Sequence, residues 1–209
     1  MPLPEFEDLP FEERPDLTPY LIHLTKNTKT EDGYSALDNL INILQNAEIW
    51  PSTRSKGFIK GPNGAVCFMD VPFNGLKYVL NAVNSNPNRP RYEPYGVFVR
   101  KQTAYRKGCR PVLYLSEDER RRLRIPKDEL WRVVRFEATD AGWISWIHER
   151  EWRCRGKFVL PVNLLGVLVR STADAASLQA RIEKQPSKFK VKPKCIIPLS
   201  IMCQGLPKF

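Results

Sequence analysis

The chain predicts a mixed α+β domain with mostly antiparallel sheets and a few helices. Strand-length apolar runs outnumber amphipathic helical ones, and the two kinds do not alternate strictly, as a doubly wound sheet would require. No internal repeat divides the chain. Its 209 residues are 42% hydrophobic and 27% charged, enough for a single domain with a sizeable core and too apolar for disorder throughout. No apolar run approaches the roughly 18 residues that span a bilayer, so no membrane partner is expected.

Residues 1–18 carry Pro2, Pro4, Pro10 and Pro15, which disfavour regular structure. They read as an acidic lead-in to one domain over 19–209 that ends in a basic C-terminal tail. This opening looks like neither a secretory signal nor a transit peptide, so a cytoplasmic location is expected. Tyr20-Leu-Ile-His-Leu-Thr25 reads as a first strand. Ser35, with Asp38 three residues on, can cap a helix on which Leu37, Leu40, Ile41 and Leu44 keep the i, i+3, i+4, i+7 spacing until Asn46. A polar loop rich in turn formers follows at 52–64, then a buried strand at 65–69 stopped by Asp70-Val-Pro72. The stretch 73–83 fits a helix and 84–94 a loop. Strands are expected at 95–100, 110–115 and 130–136, with a short charged helix at 116–123. Further strands at 151–160 and 164–169, a helix at 172–184 and a last strand at 194–202 complete the order.

Thirty-three Lys and Arg against 23 Asp and Glu leave a formal net charge of +10. Residues 1–20 hold six acids and one base, so the rest of the chain carries 32 bases against 17 acids. The excess concentrates in 100–135 (Arg100, Lys101, Arg106, Lys107, Arg110, Arg120, Arg121, Arg122, Arg124) and in an acid-free stretch from Lys184 onward. Such a field attracts polyanions, nucleic acid above all, although it serves solubility as well. The five cysteines form no C-x-x-C pair and the histidines number two, so no metal site is predicted. The cysteines read as small buried hydrophobes.

Three groups of residues carry chemistry. On period-2 alternation His23 shares a face with Leu21 and Thr25, a polar pair that suits a ligand; a core histidine held by a backbone carbonyl is the alternative. Glu149, Glu151 and Arg153 share one strand face if the strand starts there. Two carboxylates at i, i+2 stand about 7 Å apart, close enough for acid/base or electrostatic work on one substrate. A solvated edge paired with Arg150, Arg153 and Arg155 is the competing reading. A metal nuclease built on the two glutamates lacks a further acid at recognisable spacing. Between these groups, 138–147 places Trp143 and Trp146 on a glycine-containing segment with no strong period, suited to stacking against bases or to packing. In the loop 52–64, Arg54, Lys56 and Lys60 among glycines can embrace phosphate, without any Walker order.

These pieces together resemble a family pattern. Tyr20-Leu-Ile-His-Leu-Thr25 followed by Leu37-Asp-Asn-Leu-Ile-Asn-Ile-Leu looks like the opening of the ADP-ribosyltransferase superfamily, notably the DNA-modifying toxins of the DarT type. Ala65-Val-Cys-Phe-Met-Asp-Val-Pro-Phe73, Tyr95-Gly-Val-Phe-Val, Arg110-Pro-Val-Leu-Tyr114 and the Glu149-Arg-Glu-Trp-Arg153 box more closely resemble the abortive phage-resistance proteins of the AbiGi type. The likeness covers roughly 20–160. It implies an ADP-ribosyltransferase-like fold and transfer of ADP-ribose from NAD to a nucleic acid or protein. His23 and Thr25 would then bind the nicotinamide-side ribose, Arg54 the dinucleotide phosphates, and a middle-strand tyrosine, Tyr95, Tyr105 or Tyr114, the cofactor. Glu151 would be the catalytic glutamate and Glu149 would position the acceptor, with Trp143 and Trp146 on a target loop. The AbiGi likeness implies an alternative, a catalytically degenerate protein that binds a cognate toxin or antitoxin partner or nucleic acid.

Overall fold

Why a sheet forms, and where it lies, follows from the apolar runs. In the computed structural model, which describes residues 14, 16–29, 31–53, 58–81, 83–85 and 91–203, Tyr20–Leu24 (β1) is the central strand of a seven-stranded sheet. Glu48–Ile49 (β2) lies outside this sheet, and Ala65–Met69 (β3) and Gly96–Arg100 (β4) flank β1, both antiparallel to it. Glu151–Arg155 runs antiparallel beside β3 and carries Arg110–Pro111 (β5) on its far edge. The remaining strands are Leu113–Leu115 (β6), Val133–Arg135 (β7), Glu137–Thr139 (β8) and Gly142–Ile144 (β9). After Glu151–Arg155 (β10) come Phe158–Val159 (β11), Gly166–Val169 (β12) and Cys195–Pro198 (β13). The main sheet has the order β13-β12-β4-β1-β3-β10-β5. Its one parallel pair among the described residues is β12 with β13, so it is mixed but mostly antiparallel. Gly96 lets β4 approach β1, because a Cβ there would sit 2.2 Å from the His23 carbonyl oxygen.

The helices are Ala36–Asn46 (α1), Leu76–Val79 (α2), Lys101–Arg106 (α3), Glu117–Arg122 (α4), Thr172–Lys184 (α5) and Leu199–Met202 (α6). α1 starts at the expected capping box: the Asp38 N–H donates to Ser35 Oγ at 3.1 Å and the Ser35 N–H to Asp38 Oδ2 at 3.2 Å. Ser35→Ala would cost about 0.5–2 kcal/mol. Ser171 and Asp174 repeat the arrangement on α5. Alternation divides the core in two. Leu21, Phe68, Val97 and Trp152 face α1 and α5, while Ile22, Met69, Phe98 and Leu168 face α2 and α6. Burying a side chain such as Leu21 or Phe68 stabilises the fold by about 1.5–3 kcal/mol. Among the described residues no helix is long and apolar enough to cross a membrane.

Several boundaries differ from expectation for local reasons. The run 110–115 is two strands in two sheets: Arg110–Pro111 pairs with Glu151–Arg155, where the Val112 N–H still donates to the Glu151 carbonyl at 3.0 Å, and Leu113–Leu115 pairs instead with Val133–Arg135. The first half of 130–136 belongs to a 3-10 turn, Lys127–Arg132, that follows Pro126 and buries Trp131. Gly156, at φ 69°, breaks 151–160 into β10 and β11. The expected helix at 73–83 shrinks to α2 after a 3-10 turn, and the last strand turns into α6 at Pro198. The segment around Trp143 holds a small hairpin, β8 with β9. The C-terminal stretch is no free tail as far as Cys203: Phe189 and Val191 belong to the α1/α5 core. The lead-in at 1–13 lies outside the described residues, and Thr18 and the Pro19 carbonyl are already tied into the domain.

Candidate functional site

Two of the residues singled out by sequence, His23 and Glu151, lie on β1 and β10, which flank β3 in the main sheet. Ile22 stands opposite Met69, and Met69 opposite Glu151. Paired residues share a face and successive ones alternate, so Glu151 lies on the Ile22 and Met69 face. His23 lies on the other, with its ring edge-on to Phe68 at 5.9 Å.

His23 Nδ1 donates to the Cys67 carbonyl at 2.9 Å. A carbonyl can only accept, so Nδ1 carries the hydrogen and Nε2 is left as an acceptor on the neutral ring. Burial holds the pKa of His23 below the ordinary histidine value, and the Cys67 carbonyl opposes that shift. The Thr25 hydroxyl donates to the Ala36 carbonyl at 2.8 Å and lies 3.2 Å from the Tyr95 carbonyl, tying β1 to the start of α1 and to β4. Tyr95 packs on the same side as His23. Its hydroxyl donates to Asp174 at 3.4 Å beneath the Arg170 guanidinium, and burial, opposed by Arg170, pushes its pKa up to about 12. Arg54 lies outside the described residues.

On the opposite face Glu151 is clamped. Arg153 Nε donates to Oε1 at 2.8 Å and Nη2 to Oε2 at 3.1 Å. Arg153 Nη1 also donates to the Trp131 carbonyl at 2.7 Å. Both side chains are buried. Cys67, opposite Arg153, shares this face, and burial with the nearby Glu151 charge pushes its thiol well up. The backbone N–H of Glu151 donates to Tyr114 Oη at 3.0 Å.

Glu149 sits in the 3-10 turn just before β10, and Arg150 follows in the left-handed region at φ 46°. It too is buried, and Tyr92 Oη donates to its Oε1 at 2.6 Å. Burial raises its carboxyl pKa, the Glu151 charge adds to the rise, and the Tyr92 hydrogen bond opposes it. The Tyr92 hydroxyl is pushed far up by burial and by the same two carboxylates. The turn is anchored from below, where Lys101 Nζ meets Asp70 Oδ1 at 2.8 Å and the Asp70 N–H is shared between the Glu149 and Arg150 carbonyls at 3.3 Å. Trp146 is covered, with the Arg91 guanidinium 4.4 Å from its ring centroid and Phe58 stacked at 6.5 Å. Trp143 is 70% exposed and leans on Phe136.

The structure therefore brings Glu149 and Glu151 into one buried group with Tyr92, Arg153 and Cys67, and sets His23, Thr25 and Tyr95 on the other side of the sheet. Of the two tryptophans, Trp143 offers an open surface. Tyr92 and Arg91 fall in a stretch that reads as loop, with no periodicity to mark them. Arg153 is visible in sequence two residues from Glu151, but its burial is not. Among the described residues no three His, Cys, Asp or Glu side chains come together to hold a metal ion. In chemical terms, a carboxylate neutralised by a bidentate guanidinium offers little net negative charge to a developing oxocarbenium ion. Comparison with protein-family models, with curated proteins and with solved structures found no match.

Proposed function

We propose that this chain is a nucleic-acid-binding protein of the abortive-infection kind, built on an ADP-ribosyltransferase-like sheet and without turnover of NAD. The observation that carries the reading is the division of the NAD-handling candidates. His23 is on the face opposite Glu151, Thr25 and His23 are held by backbone carbonyls, and both oxygens of Glu151 accept from Arg153. A net charge of +10 supports nucleic acid as the partner. The test is incubation with adenylate-labelled NAD in the presence of nucleic acid and protein acceptors, comparing the wild type with Glu151→Gln. The expected result is no label on any acceptor from either chain, with nucleic acid retained by both. Transfer that Glu151→Gln abolishes would overturn the reading. Failure to retain nucleic acid at low salt would also overturn it, and would put a cognate toxin or antitoxin protein in its place.

One observation favours a second reading, ADP-ribosyl transfer from NAD to a nucleic acid or protein. The histidine strand β1 and the glutamate strand β10 lie on either side of β3, and Glu149 lies just before Glu151 at the start of β10. In that reading Arg153 must release Glu151 when NAD binds, so Arg153→Gln would alter NAD affinity as well as rate.

A further inference from the structure

We infer that the lysine edge at 188–194 is the surface on which this chain holds a nucleic-acid phosphate backbone; the inference rests on the nucleic-acid reading above and names its contact surface. The segment reads Lys188-Phe-Lys-Val-Lys-Pro-Lys194. Phe189 and Val191 are 4% and 3% exposed in the core beside α1 and α5, whereas Lys188, Lys190, Lys192 and Lys194 are all exposed. Apolar side chains enter the domain and cations leave it, residue by residue.

The backbone beneath the lysines is fixed. The Val191 N–H donates to the Leu44 carbonyl at 3.2 Å, the Lys194 N–H to Leu164 at 3.1 Å, and the Lys188 N–H to Gln185 at 3.1 Å. A polyanion would then cost the segment only side-chain freedom, since the chain itself is already ordered. Lys184, exposed at the end of α5, continues the charge, whereas Arg181 lies near Asp38. No acid occurs from 184 to 203, and among the described residues none of the four lysines is in an ion pair. A surface that serves solubility mixes both signs. Unmixed cations repel one another, and a polyanion relieves that repulsion.

The chemistry fits phosphate rather than bases or lipid. Lysine is a point charge without the planar fork that reads base edges. The apolar residues of this segment point inward, whereas a membrane-surface segment turns them outward beside its cations. Binding is therefore expected to be independent of sequence and steeply dependent on salt.

The test uses the full chain, a fluorescent mixed-sequence single-stranded DNA and its duplex, and anisotropy at several salt concentrations. The variant carries Lys188→Gln, Lys190→Gln, Lys192→Gln and Lys194→Gln; a control carries Arg120→Gln, Arg121→Gln and Arg122→Gln. Circular dichroism checks that both fold. The quadruple variant should bind at least tenfold more weakly at low salt, with a log–log salt slope shallower by about 0.7 per lost contact on the single strand. The control should change by less than about threefold. Wild-type affinity in the quadruple variant would overturn the inference and leave the nucleic-acid reading standing. No binding by the wild type would overturn both. Equal retention on polyglutamate or on anionic phosphatidylserine vesicles would overturn the assignment to nucleic acid.

Discussion

The two basic regions of this chain spend their charge in opposite ways. Within 100–135 several cations turn inward or meet partners, although Lys107, Arg122, Arg124 and Lys127 are exposed. Lys101 is buried against Asp70, Arg110 lies 3.8 Å over the Tyr105 ring while donating to two carbonyls, and Arg120 and Arg121 pair with Glu117 and Asp118 on α4. The lysines of 188–194 have ordered backbone beneath them and solvent above. Net charge alone ranks the two regions alike. Burial and pairing separate Lys101, Arg110, Arg120 and Arg121 from the lysines of 188–194, whose charge has no acid among it.

Breaking the first region at its buried pair should have the largest effect. Lys101→Met leaves Asp70 buried without its cation, which costs about 3–5 kcal/mol, readable as a lowered urea midpoint. A loss below about 1 kcal/mol would mean that this lysine is not structural, and the contrast would weaken. Lys101→Met combined with Asp70→Leu should recover much of the loss, since replacing both partners removes the uncompensated charge.

Glu149 sharpens the comparison from the acid side, because it is buried with a tyrosine hydroxyl where Glu151 has a guanidinium. Its pKa is raised in the fold, so between the ordinary glutamate value and the raised one the folded state binds more protons than the unfolded chain. Stability from this group is therefore present at low pH and lost as pH rises through that window. In Glu149→Gln the amide oxygen can still accept from Tyr92, and the side chain has no proton to lose. The stability of Glu149→Gln relative to wild type should grow from pH 4 to pH 8, as urea midpoints at the two pH values will show. A constant difference would mean that the carboxyl titrates normally.

A smaller effect is expected on α4. Glu117 accepts from Lys60 and from Arg120 at 2.9 Å, and its pKa is drawn down to about 2, chiefly by Lys60. These groups are about a third exposed, so Arg120→Gln should cost no more than about 1 kcal/mol, and less at high salt. The carboxylate keeps Lys60, so its contribution remains above the ordinary glutamate range and fades as pH falls toward the lowered value.

What can be read in advance, and what cannot, follows from the range of the forces involved. The α1 capping box and its leucine spacing are local, and both are present as expected. Most strands of the main sheet are there too, because a short apolar run is a property of neighbouring residues. The split of 110–115 depends on two partners distant in sequence, β10 for its first half and β7 for its second, and the Glu149 hydroxyl partner comes from Tyr92, 57 positions away. No spacing rule reaches that far. His23 shows the limit from inside a motif: alternation ties its face to Leu21 and Thr25, but the face of Glu151 depends on the register of two ladders. The lysine edge is in view as an acid-free stretch, with just Phe189 and Val191 to mark the alternation, too few to separate an anchored edge from a loose tail.

The smallest stability effect belongs to the lysines, and it discriminates best. Exposed substitutions usually move stability by less than about 0.5 kcal/mol each. Here the sign is also fixed, since removing four like charges that lack carboxylate partners relieves repulsion. The quadruple glutamine variant should unfold at a slightly higher urea concentration than wild type at low salt, and the gap should close as salt screens the repulsion in the parent. Lost stability of several kcal/mol would place these lysines with Lys101, as groups on which the fold depends. Unchanged or raised stability together with lost DNA binding leaves recognition as what the edge supplies, because the fold would then gain nothing from keeping it.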